Sequence, residues 1–265
     1  MTTVSRDGSG ARETTRGLAI GWDVGGWLGK KQAVAVIEVG DDETWQYVGR
    51  PGPFTLQDLV HISVLDLIRT AWPEAPMNVL DERTVVIAID APLSFPSAFL
   101  RLLGGEVQER PSSANEIDNG LAYRDCDRHV YAKYGKKPLS ASFDKLGNNA
   151  TVAMVLTRQW RGHEGFAVLP FDQPVHPRRE IIEAYPALLK RNRAPLARVR
   201  TLLPEALRDE LQDGTDEQDA AICALIALAQ LGVDDSRLPP LVKPVGEQGS
   251  DGWIYAPPPE WILGG

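Results

Sequence analysis

Hydrophobic positions alternate with small or polar ones over Gly17 to Val24, where Leu18, Ile20 and Trp22 lead up to Asp23. Beyond a glycine-rich turn (Gly25, Gly26, Gly29), Gln32 to Val39 is an apolar, β-branched run. Glycine supplies the positive φ values of a tight turn, so the two runs predict an antiparallel hairpin. Thr44 to Val48 predicts a third strand. Leu56, Leu59, Val60, Val64, Leu67 and Ile68 recur at helical spacing and predict a helix over Leu56 to Ala71, ended by Pro73. Thr84 to Ile89 is continuously apolar, the pattern of a strand buried on both faces. It stops at Asp90, and Pro92 and Pro96 bar further pairing.

The stretch Ala98 to Arg161 predicts helices and loops around a polar centre, Glu109 to Gly120. Arg179 to Ala184 predicts a short strand closing near Glu183. Thr215 to Gly232 carries the strongest helix signals. Thr215 can cap it, Asp216 and Glu217 suit its positive end, and Gly232 ends it. The tail from Leu238, rich in Pro and Gly, predicts an irregular strap. A meander followed by α/β units predicts an α/β fold, a mixed sheet covered by helices. The organisation expected is a disordered lead at 1–15, a domain at 16–232 with a helical insertion at about 98–165, and a packed tail at 233–265. The lead has no apolar core of a secretory signal.

Four carboxylates stand where apolar elements end: Asp23, Asp90, Glu183 and Asp219. On a helical wheel Ile222, Cys223, Ile226 and Gln230 fall within about 60° of Asp219, so this acid lies on the apolar side of its helix. A carboxylate there is costly unless paired, hydrogen-bonded or metal-bound. Asp216 shares roughly that face. If the strands are neighbours, these acids converge at one sheet edge. Carboxylates without a Cys or His cluster suit Mg²⁺ or Mn²⁺, and two such ions can drive phosphodiester cleavage. The plainer alternative for each acid is a turn cap or a helix-dipole partner.

The segments GWDVGGW (21–27), VVIAIDAPLSFP (85–96), YRDCDRHV (123–130), EIIEAYPALLK (180–190) and DEQDAAICAL (216–225) together resemble the domain-of-unknown-function family numbered 429. That family is regarded as predicted nucleases on a ribonuclease H-like fold. The resemblance implies a five-stranded mixed sheet with helices on both faces, Asp23, Asp90, Glu183 and Asp219 as catalytic acids, and Mg²⁺ or Mn²⁺ as cofactor. Asp216 enters as a second helix carboxylate, and Arg124 and Asp127 match the family's Arg-x-Cys-Asp segment. Tyr185 stands where a His is common, which weakens a histidine base there.

The chain has 265 residues and a net charge of -8, without an apolar run long enough for a bilayer span. Arg178 to Arg200 is locally +5, leaving -13 on the remainder. The acidic total argues against a broad nucleic-acid groove. The basic strip makes Arg178, Arg179 and Lys190 candidate phosphate contacts, with Arg124 and Asp127 as further substrate contacts. Tyr131 and Tyr134 lie among the basic residues of Arg124 to Lys137, where they can stack bases or pack a helix. The two cysteines, Cys126 and Cys223, suggest buried thiols in a reducing cytoplasm. His61, His129, His163 and His176 are scattered. Asn148 and Asn149 can line the site.

Three functions remain open at this point. The first is a metal-dependent nuclease acting on nucleic acid or a small phosphoester. The second is an ATPase- or kinase-like enzyme using DVGG (23–26) as a phosphate loop. The third is a non-catalytic binding module that keeps the fold.

Overall fold

A computed structural model describes residues 17–27, 31–58, 62–108, 114–144, 146–175, 177–190, 193–203, 205, 208, 214–233, 235–246 and 249–263. The strands among them are β1 (Gly17–Asp23), β2 (Gln32–Val39), β3 (Trp45–Phe54), β4 (Thr84–Asp90), β5 (Ala167–Val168), β6 (Arg179–Ala184) and β7 (Ile254–Tyr255). The helices are α1 (Val64–Ala71), α2 (Ser97–Leu103), α3 (Asp125–Tyr134), α4 (Gly147–His163), α5 (Arg193–Leu202), α6 (Asp216–Leu231) and α7 (Pro259–Leu263). The strands form one mixed sheet in the order β3-β2-β1-β4-β6-β5, with β7 also paired to β6. β1, β4 and β6 run parallel, and β2 is antiparallel to both β1 and β3.

Period-two alternation divides the core into two layers. Leu18, Ile20 and Trp22 of β1, with Val85, Ile87 and Ile89 of β4, face α1 and α4. The opposite side is paved with small residues: Ala19, Ala33, Ala35 and Ala88. Here α6 lies across the middle of the sheet, itself alanine-rich at Ala220, Ala221, Ala224 and Ala227. Small side chains on both surfaces let backbones approach closely. A Cβ on Gly21 would sit 2.0 Å from the Ala220 carbonyl oxygen and 2.2 Å from the Ala224 nitrogen. Helix α6 starts and stops as its sequence dictates. The Thr215 side chain accepts from the Gln218 N–H, and Gly232 ends the helix at φ 84°. Nearly every position from Gln218 to Leu228 is buried, so the helix is apolar all round rather than along one stripe.

Several expectations change. The sheet has seven strands, not five, because β5 and β7 add two-residue pairings to the two ends of β6. The tail is not wholly irregular: it supplies β7 and α7. The continuous helix over Leu56 to Ala71 is broken. Leu56–Asp58 form a single 3-10 turn, and a capping box between Ser63 and Asp66 starts α1 afresh. β3 runs on to Phe54 through Pro51 and Pro53, which an edge strand tolerates. The lead at 1–15, Gly29, Leu59 to His61, Glu109 to Ser113 and His176 lie outside the described residues. Among the described residues no helix is long and apolar enough to cross a membrane.

Replacing Gly21 by Ala forces a methyl group into the α6 backbone. Urea unfolding should show a loss of about 1–3 kcal/mol or more, whereas an Ala at Gly120, where a Cβ meets nothing within 4 Å, should cost much less.

Candidate active site at the strand ends

Open α/β sheets bind ligands beyond the carboxyl ends of their parallel strands, where the strand order reverses. β1 is that position here, with β2 on one side and β4 on the other. Asp23 and Asp90 are direct partners in the β1–β4 register, so their Cα atoms are about 4.8 Å apart. Alternation turns both toward the α6 side, with Ala19, Gly21 and Ala88. Asp219 comes from the first turn of α6, one residue before the Ala220 that rests on Gly21. The acids predicted from three separate elements therefore lie close enough to act on one another's charge.

Their electrostatics follow from that crowding. Burial, then the charges of Asp219 and Asp216, raise the Asp23 carboxyl to about 8. Asp90 is pushed well above its ordinary value by burial, Asp23 and Asp219. Asp219 is raised by burial and by Asp216, against the opposing pull of Lys190. The Lys190 ammonium lies 2.5 Å from Asp219 Oδ1 and 2.6 Å from Oδ2. It donates to Oδ2 and forms an ion pair with the buried Oδ1. Lys190 thus belongs to the carboxylates instead of standing free as a phosphate contact. Among the described residues, no group of three or more His, Cys, Asp or Glu side chains forms a ready-made metal site.

Glu183 lines the same cavity as Asp23 and Asp90, and its charge helps to raise Asp90, but its carboxylate is already paired. In register it pairs with Ile89, one residue short of Asp90. It receives Arg124 in a fork-to-fork pair, Nη1 to Oε2 at 2.7 Å and Nη2 to Oε1 at 2.6 Å, plus the Leu93 N–H at 3.0 Å. Burial outweighs the guanidinium and leaves the Glu183 carboxyl above its usual range. Arg124 also donates from Nε and Nη2 to Asp127 and from Nη1 to Ser94 Oγ. All five guanidinium donors are spent inside the protein. Arg124 and Asp127, both 1% exposed, are therefore a frame for the site and offer no free donor to a substrate.

Between these groups lies a cavity of about 160 Å³. Asp23, Asp90, Asn149 and Tyr185 contribute to its polar side, and Pro92, Leu139, Leu146 and Ile254 to its apolar side. Burial, followed by Asp90, raises the Tyr185 phenol to about 12, so at neutral pH it is a proton donor and not a base. The Asn149 amide donates to the Val24 carbonyl and pins α4 to the end of β1. Comparison with family models, curated proteins and solved structures finds no match to this chain.

Other candidates fall away from the cavity. Arg178 and Arg179 stand at the start of β6, at the opposite end of the strand from the cavity. Arg178 donates to the carbonyls of Gln230 and Leu231 that close α6, and Arg179 to those of Glu164 and Leu80. The glycines of DVGG have a packing cause. A Cβ at Gly25 would meet the Lys31 carbonyl oxygen at 1.4 Å, and one at Gly26 the Asn148 amide at 2.3 Å. Cys126 and Cys223 are buried, and burial raises both thiols. His129 packs at a tilt of 49° against Trp253, with ring centroids 4.7 Å apart. Tyr134 is buried and donates to the Pro257 carbonyl, which makes it a packing residue. The linear pattern gave no hint of Leu139, Leu146 or Ile254 as cavity walls.

Two predictions follow from these contacts. Asp23 is raised in the folded state, so the folded chain holds a proton that the unfolded chain releases above about pH 3.8. Stability from this group is present at low pH and is lost as pH climbs toward about 8. Asp23→Asn should therefore add stability that grows with pH, reaching about 2 kcal/mol or more at pH 8.5; paired urea titrations at pH 5 and pH 8.5 measure it. Arg124→Met strands Glu183 and Asp127 without their cation. Calorimetry should find it destabilised by about 3–5 kcal/mol.

Proposed function

We propose that this chain is a metal-dependent phosphodiester hydrolase built on a ribonuclease H-like core, as its resemblance to family 429 implies. The observation that carries this reading is the in-register pair Asp23 and Asp90 with Asp219 brought against it by α6. The run β3-β2-β1-β4-β6, with β2 alone reversed, supports the ribonuclease H-like assignment.

The donor set fits a hard divalent cation. Its ligands would all be carboxylate oxygens, crowded at Asp23, Asp90 and Asp219 against one ammonium, Lys190. Asp23, Asp90 and Asp219 would hold Mg²⁺ or Mn²⁺, and Asp216 adds negative charge behind them. Bound there, such an ion supplies Lewis-acid stabilisation of phosphoryl oxygens and a more acidic water. The chain's own groups do the rest. Tyr185 keeps its proton on the phenol and can donate it to an oxygen in the cavity. Pro92, Leu139, Leu146 and Ile254 exclude water from one side of that space. Glu183 and Arg124 hold the Leu93 turn and α3 in place rather than binding the ion. A cavity of about 160 Å³ with an acidic floor fits a small phosphoester or a single strand end better than a duplex.

Purified Asp23→Asn and Asp90→Asn variants should lose Mn²⁺-dependent cleavage of a chromogenic phosphodiester by about 100-fold or more. Their circular dichroism should stay native. Arg178→Ala, at the far end of the sheet, should keep wild-type turnover. Unchanged cleavage in both Asn variants defeats the assignment.

A further inference from the structure

Lys190 has an unusual position. It follows the 3-10 turn Pro186–Leu188 and reaches back to straddle both oxygens of Asp219, at 2.5 and 2.6 Å. The same ammonium is the cation that draws down both Asp23 and Asp90, whose other neighbours are carboxylates. The ammonium thus neutralises the carboxylate where a divalent cation would bind, and another cation can take its place. Mg²⁺ sits about 2.0–2.1 Å from its ligand oxygens. It and the ammonium cannot occupy the same two oxygens. The Lys190 side chain is 23% exposed, so its long stem has a path outward to solvent.

We propose that Lys190 is a built-in counter-ion of the carboxylate cluster, holding Asp219 in the absence of a divalent cation and competing with that cation for it. The proposal rests on the metal reading of the site. It assigns the chain an intrinsic brake on metal loading: the protein gives up an internal ion pair each time a divalent ion enters, and weak cations are excluded.

The test uses the full-length chain and Mn²⁺ alone, with free Mn²⁺ read by electron paramagnetic resonance. Lys190→Gln should bind Mn²⁺ about tenfold more tightly than wild type or better, and Lys190→Arg, which keeps the charge, should stay within about twofold of wild type. In wild-type protein, addition of Mn²⁺ should speed acylation of Lys190 by acetic anhydride, followed by peptide mass spectrometry, because the freed amine is no longer paired. This second measurement stands even if Lys190→Gln fails to fold. Wild-type binding of Mn²⁺ with unchanged or weaker affinity in Lys190→Gln, or with no change in Lys190 acylation, overturns the counter-ion role and leaves the metal reading intact. Absence of Mn²⁺ binding in both wild type and Lys190→Gln overturns the two together. Binding seen only in Lys190→Gln supports both.

Discussion

The approach of α6 to β1 at Gly21 governs the rest of the molecule. No side chain fits between the Gly21 Cα and the Ala220–Ala224 backbone. The paving of alanines around it lets a wholly buried helix lie on the centre of the sheet. The helix axis is thereby fixed along its length, and its first turn is delivered to the carboxyl ends of β1 and β4. Asp219 arrives beside Asp23 and Asp90 because of contacts two residues further in, which contain no functional group at all. A close-packed core transmits position in this way since neither surface has slack to absorb a shift.

The two sets of charged groups around the cavity are put to unlike use. On the α6 side, acids outnumber cations, and the excess appears as carboxyls that hold their protons above the usual range. Toward α3, Arg124 meets two carboxylates and spends every donor on them and on Ser94. The first arrangement stores repulsion that a cation relieves, and the second is a finished structural joint. The two border the same cavity, and the charge of Glu183 reaches Asp90.

Much of this was legible in the linear chain. β1, β2, β4 and β6 follow from apolar runs, and α6 from its Thr215 and Gly232 signals, because each is long enough to show a period or carries its own caps. The electrostatic proximity of Asp23, Asp90 and Asp219 was suggested by their placement at element ends. The Arg124–Glu183 pair was not legible, because the two residues lie 59 positions apart and a strand-end pattern does not disclose which cation folds back on it. Arg178 and Arg179 were misplaced for a simpler reason. They open the strand that Glu183 closes, and four rises of about 3.3 Å separate neighbours in sequence by the depth of the sheet. β5 and β7 have two residues each and no period to read. The Lys190–Asp219 pair spans 29 positions and depends on how the turn after β6 folds back.

The C-terminal segment carries a consequence for the order in which the molecule is made. Ile254 of β7 walls the cavity, and the Asp251 carbonyl accepts from Ser94 Oγ, the same hydroxyl that Arg124 holds. Residues from Asp23 to Ile254 thus enclose one small space. During translation β1, β4 and β6 are laid down before this wall exists, so the cavity is complete only once Ile254 has joined β6.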